Sequence, residues 1–262
     1  MKLTVPPFEA LTLLIFGQPG SGKTRFCAGD FNSIFAATEP GQDFTKARVI
    51  NIVAWDGDLW EVSPNRVKTS FKKFVHTIAE QLKSNSLDAS AIVIDIVDNL
   101  HTLCMDAVCT RKGIAHPHDA NDFGATWAAV NKEWTSWLRA LMSKINIRFI
   151  SHCAERPKEV TNDIGIKEEV TQYLPTFSGN KAAQYLDGVV NAMGFMTKNK
   201  SDKYVLTFKQ TATIAAKDRT DILSSLGEIL LPNSPDESWG YVSKLYRDKA
   251  TELGFEVQTR RN

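Results

Sequence analysis

The stretch Leu11-Thr12-Leu13-Leu14-Ile15-Phe16-Gly17-Gln18-Pro19-Gly20-Ser21-Gly22-Lys23-Thr24 constrains this chain more than any other part of it. A short apolar run reads as a buried strand. It leads directly into a glycine-rich turn whose spacing satisfies G-x-x-x-x-G-K-[ST] throughout. Glycines let the backbone curl so that successive N–H groups face phosphate oxygens, where a β-carbon would obstruct the approach. A helix starting near Lys23 adds the positive end of its dipole. In that setting Lys23 is expected to reach the β- and γ-phosphates and the Thr24 hydroxyl to hold Mg²⁺. Gly17, Gln18, Pro19, Gly20, Ser21, Gly22, Lys23, Thr24 and Arg25 form the expected phosphate-binding segment. Its expected ligand is a nucleoside triphosphate.

A chain of 262 residues accommodates one large α/β domain with a substantial core. Its 31 Lys and Arg balance 30 Asp and Glu. A net charge of +1 exerts no global pull toward nucleic acid or an anionic membrane, so a DNA site has to be local or assembled from several subunits. Cys27, Cys104, Cys109 and Cys153 form no C-x-x-C pair and read as reduced thiols of a cytoplasmic protein. No run approaches the ~20 apolar residues of a membrane span, and no segment reads as a signal peptide.

The chain reads as a single domain: a lead-in over residues 1–10, a core over 11–220 and a C-terminal helical segment over 221–262. A second buried strand, from Ser33, ends in Thr38-Glu39-Pro40-Gly41, and a third covers Val49 to Val53. Ser63 and Pro64 read as the N-cap and first residue of a helix carrying Val67, Phe71, Phe74, Val75 and Ile78. Lys68, Lys72, Lys73 and Lys83 fall on its other side, as a solvated face or, alternatively, a DNA contact.

Ala91-Ile92-Val93-Ile94-Asp95 has the Walker B pattern, four apolar residues and then a carboxylate at a strand end, where Asp95 would serve Mg²⁺. Position 96 is Ile, which leaves Glu39 to polarise the attacking water. A helix follows from Asp98, then a loop containing Arg111 to Asp119. The next helix carries Trp127, Val130, Trp134, Trp137 and Leu138, a stripe for the core or a subunit interface. Ile147 to His152 is the fourth core strand, with His152 placed at its end to sense the γ-phosphate or simply to meet solvent. Ala154 to Ser178 reads as a long polar loop. Val189 to Thr197 and Lys203 to Phe208 form a hairpin. Thr211 to Ala216 then forms a strand that delivers Lys217-Asp218-Arg219, and a helix spans about Ser238 to Leu253.

Taken in order, these landmarks resemble the RecA-like branch of P-loop ATPases, and most closely the small phage-encoded members associated with single-strand annealing and recombination. The resemblance rests on Gly17 to Thr24, Thr38 to Gly41, Ile94-Asp95 with Asp98-Asn99-Leu100, Ser151-His152 and Lys217-Asp218-Arg219. It implies a mostly parallel central sheet flanked by helices, extended by a C-terminal β-hairpin. It further implies ATP and Mg²⁺ as ligands, Glu39 as water activator, His152 as polar sensor, and Lys217 and Arg219 reaching into a neighbour's ATP site. Single-stranded DNA, further copies of the chain and an annealing or single-strand-binding protein are the implied partners. The segments 111–123 and 154–178 fall where the family's DNA-contacting loops lie. Ile96 replaces the family's small hydroxyl residue. A small-molecule kinase and a nucleotide-gated module without turnover are the alternatives.

Overall fold

Runs of β-branched and aromatic residues bounded by turn residues form strands in this chain, and apolar residues at helical spacing form the helices between them. The computed structural model describes residues 3–40, 46–64, 66–161, 164–177 and 181–258. In chain order the first elements are β1 (Thr4–Val5), β2 (Leu13–Gly17), α1 (Lys23–Ala28), β3 (Ser33–Ala37), β4 (Arg48–Ala54), β5 (Trp60–Ser63) and β6 (Arg66–Ser70). Then come α2 (Phe71–Lys83), β7 (Ala91–Asp95), α3 (Val97–Lys112), α4 (Ala125–Met142), β8 (Asn146–Thr161) and β9 (Lys167–Pro175). The last are α5 (Lys181–Val189), β10 (Ala192–Lys198), β11 (Tyr204–Thr207), β12 (Lys217–Asp218), β13 (Glu228–Leu230), α6 (Pro235–Glu252) and β14 (Glu256–Val257). This is an α/β fold with a mostly parallel sheet flanked by helices. Gly41 and Ser178, named above, lie outside the described residues.

Contacts divide the chain into two units, Met1–Asp30 with Arg148–Ser178 and Val189–Asn262, and Phe31–Ile147 with Gly179–Gly188. In the first, β10, β2 and β8 run parallel, with Phe195 beside Phe16 and Gly17 beside His152. The expected hairpin of β10 and β11 is present, and β13 continues it antiparallel. Arg148 is fully buried, ion-paired to Asp30 at 2.6 Å, and its guanidinium lies 4.1 Å from the Trp239 ring centre. Residues expected as a lead-in are part of this packing. Phe8 is buried against Trp239, with ring centres 4.7 Å apart, and β1 pairs with β14.

In the second unit β7, β3, β4 and β6 run parallel in that order, and β5 adds antiparallel at the edge. Leu100, Cys104, Val130, Trp134 and Leu138 of α3 and α4 are buried, and Trp55 stacks on both Phe71 and Trp134. A polar hub ties this packing down. Lys72 contacts Asp56 at 2.6 Å and Glu133 at 2.7 Å, and Arg111 contacts the same two carboxylates. Burial works against the Lys72 charge, but the hydrogen bonds to Asp56 and Glu133 outweigh it and raise its pKa.

Four expectations are corrected. No helix starts at Ser63: residues 60–63 and 66–70 alternate in character and pair as a hairpin, so Val67 and Lys68 belong to a strand. The true N-cap is Ser70, whose hydroxyl accepts from the Lys73 N–H. The segment from Ala154 is no loop, because Cys153 to Thr161 pair antiparallel with Lys167 to Pro175 in a long hairpin. Arg111 and Lys112 are the last turn of α3, closed by Gly113 in the left-handed region. Thr211 to Ala216 is not a strand. The Thr211 hydroxyl accepts from the N–H groups of Thr213 and Ile214, a local turn that competes with a ladder. Among the described residues no helix is long and apolar enough to cross a membrane.

Candidate functional site

β2 ends at Gly17, where a β-carbon would lie 2.0 Å from the Met196 carbonyl oxygen, so only glycine fits. Gly20 and Gly22 have φ of +76° and +91°, the left-handed region that favours glycine. Gly22 is the N-cap of α1. Lys23 is 7% exposed, and its Nζ donates to the carbonyls of Gly17 at 2.8 Å and Gln18 at 3.1 Å. The ammonium is folded over the turn, where phosphate oxygens can replace those carbonyls. Beside it is a cavity of about 260 Å³ lined by Gly20, Gly22, Lys23, Thr24, Arg25 and Tyr204.

Tyr204 is a site residue that sequence reading missed. Its ring would be 3.0 Å from a β-carbon at Gly22, and Lys198 Nζ sits 5.1 Å from the ring centre. Only the tertiary pairing of β10 with both β2 and β11 joins positions so far apart in sequence.

His152 stands beside Gly17 in the β2–β8 register, but it does not end its strand as expected, because β8 continues past it to Thr161 along the hairpin with β9. Farther along β8, Glu155 accepts a hydrogen bond from Gln18 Nε2 at 2.9 Å. Lys217 and Arg219 are elsewhere in the same unit. Lys217 pairs with Met193, itself level with Leu14, and the Arg219 N–H donates to Asn191. Both therefore leave the sheet from the end opposite the phosphate loop.

The second unit holds the two carboxylates. Ala37 pairs with Asp95, so β3 and β7 end side by side and bring Glu39 and Asp95 to the same sheet edge. Asp95 is 1% exposed. Thr38 clamps the following peptide, donating through Oγ1 to the Ile96 carbonyl at 2.9 Å and accepting from the Ile96 N–H at 3.0 Å. The Thr38 N–H donates to the Asp95 carbonyl at 2.7 Å. Asn99 Nδ2 reaches Glu39 Oε2 at 3.4 Å, which orients the carboxylate.

A strand, a phosphate loop and a helix N-terminus, with an acidic strand end elsewhere in the chain, define a P-loop nucleotide-binding protein. The chain belongs to the AAA_24 family, described as an AAA domain, whose model matches residues 9–220. No curated protein matches the sequence at a significant level.

Solved structures share the broad outline. A KaiC-like protein, PH0186, from the hyperthermophilic archaeon Pyrococcus horikoshii OT3 aligns at 11% identity over 90% of this chain and 95% of its own, with a TM-score of 0.43. The ATPase domain of G40P aligns at 12% identity over 87% and 84%, with a TM-score of 0.43. The RadB recombinase aligns at 12% identity over 77% and 80%, with a TM-score of 0.34. Likenesses this distant say nothing about activity or partners.

Proposed function

We propose that this chain is an ATP-hydrolysing, RecA-like protein of the cytoplasm that assembles with further copies of itself on single-stranded DNA and supports recombination or annealing. The observation that carries the ATP part is the phosphate loop. Its glycines leave no space for a β-carbon at Gly17, and a nearly buried lysine sits within it. Such a cradle fits a triphosphate, and the hard oxygen donors of Thr24 and Asp95 suit Mg²⁺. Bound Mg²⁺ would neutralise charge on the phosphate oxygens.

In this reading Lys23 and the loop N–H groups bind the phosphates. Glu39, oriented by Asn99, accepts the proton of the attacking water. Tyr204 offers a ring face beside the loop. His152, level with Gly17, reports the state of the site along β8. Lys217 and Arg219 start from the opposite sheet end, which supports delivery to a neighbouring copy's site. The DNA, phage and recombination parts, together with an annealing or single-strand-binding partner, are supported by the sequence resemblance alone.

The test is ATP hydrolysis with and without single-stranded DNA, with assembly size measured in parallel. DNA-stimulated turnover and growth in size are expected. Equal rates with no assembly would overturn the DNA reading, and failure of the wild-type chain to bind ATP would overturn the whole.

A further inference from the structure

Phe123 is fully exposed, at 108% relative accessibility, and adopts φ of +51°, which a non-glycine residue rarely takes. The turn that holds it is built rather than loose. Lys112 Nζ donates to Asp122 at 3.2 Å and to Thr126 Oγ1 at 2.8 Å, and Thr126 donates to Asp122 at 2.5 Å. Thr126 is fully buried. Trp127, the next residue and in the first turn of α4, is half-exposed. Two imidazoles meet it at steep angles, His116 at 5.6 Å and His118 at 5.5 Å between ring centres, and these stack on each other at 4.9 Å. Beside Trp127 is a cavity of about 310 Å³ lined by His101, Gly124, Trp127, Ala128, Asn131 and Lys181.

A large aromatic ring fixed in water gains nothing for the fold, and the residue after it, Gly124, lines the same cavity as the half-covered Trp127 ring. Ring faces bind nucleobases by stacking, an amide such as Asn131 suits a base edge, and an ammonium such as Lys181 suits a phosphate. Nearby charges are already engaged: Arg111 with Asp56 and Glu133, Lys112 with Asp122. The chemistry is therefore that of stacking, not of a basic stripe.

We propose that Phe123 and Trp127 are the base-stacking platform for single-stranded DNA, with the Asn131–Lys181 cavity taking one nucleotide. This rests on the reading of the chain as a single-strand-binding ATPase and names where that strand is held.

The test is anisotropy of a labelled oligothymidylate titrated with the full chain, ATP present. Phe123→Ala and Trp127→Ala are each expected to weaken binding about tenfold, while Phe123→Tyr and Trp127→Phe stay within about threefold of wild type. The salt dependence of binding should keep its slope in Phe123→Ala, because no phosphate contact is lost. ATP binding should be unchanged throughout. Since Phe123 packs on nothing, its replacement leaves the fold intact even where Trp127→Ala does not. Wild-type binding with undiminished binding by Phe123→Ala would overturn the platform. Absence of wild-type binding would overturn the DNA reading itself, and the platform with it.

Discussion

Gln18 in the phosphate loop donates through Nε2 to Glu155 Oε1 at 2.9 Å, tying the turn to the base of the β8–β9 hairpin. His152 lies between these contacts in sequence and beside Gly17 in register. A change at the loop thus has a direct mechanical route into the hairpin. The pair is solvent-exposed, so its worth to stability is at most about 1 kcal/mol. Glu155→Ala should leave the melting temperature and ATP affinity nearly unchanged while reducing the stimulation of turnover by DNA. Hydrolysis rates with and without DNA check this, and unchanged stimulation would show the link to be idle.

Thr38 makes the second connection, closing hydrogen bonds on both sides of the Ile96 peptide that follows Asp95. Thr38→Val keeps shape but takes the acceptor from the Ile96 N–H, at about 1–3 kcal/mol, while the Ile96 carbonyl keeps the Leu100 N–H at 3.3 Å. Denaturant unfolding should register that loss. Turnover should fall more than ATP affinity, because the displaced group is the carboxylate end of β7 and not the phosphate loop.

Arg219 starts from the sheet end away from its own phosphate loop. Arg219→Ala should retain ATP binding and lose roughly 10³–10⁵-fold in turnover if its charge meets the transferring phosphoryl group of a neighbour. Mixing Arg219→Ala with Glu39→Ala subunits should restore part of the activity, since one site in the mixture then has both groups. No recovery in the mixture would remove the shared-site arrangement.

Local patterns made the strands leading to Gly17, Glu39, Asp95 and His152 legible, because each reaches that residue through a short run of mostly buried apolar side chains, although β8 runs on beyond His152. Tyr204 was not legible, since its place beside Gly22 depends on a register between distant strands. The Ser63-Pro64 pair carried a true start signal in the wrong place: Pro64 makes the turn of a hairpin, and the cap belongs to Ser70. The 154–175 hairpin was hidden by its charges. A two-stranded arm with both faces wet lacks the apolar alternation that marks a half-buried strand. Trp127 was grouped with Trp134 by spacing, yet only Trp134 is buried, because helical period identifies a face and not how far along the helix that face is covered.

Arg148 is the most demanding buried group in the first unit, held by Asp30, the Glu9 carbonyl and the Trp239 ring. Asp30→Ala would strand a guanidinium in a dry site, and about 3–5 kcal/mol of stability should be lost. Arg148→Met should cost less, because it removes the charge while keeping much of the stem's packing. Urea unfolding of the two variants orders them, and equal losses would mean that packing, not the unpaired charge, dominates.

His101 supplies a pH dependence with a definite sign. Burial pushes its pKa down from 6.5 to about 4, and its ring meets Trp134 edge-on at 5.1 Å between centres. A lowered folded-state pKa means that the unfolded chain binds the proton more readily between those two values. Stability from the neutral ring is therefore fully present above about pH 6.5 and is lost as pH falls toward 4. The difference corresponds to about 3 kcal/mol at most. His101→Phe keeps an aromatic edge on Trp134 and removes the titration. Its unfolding free energy should decline less steeply than wild type between about pH 6.5 and 4.5, and parallel declines would place the acid sensitivity in other groups.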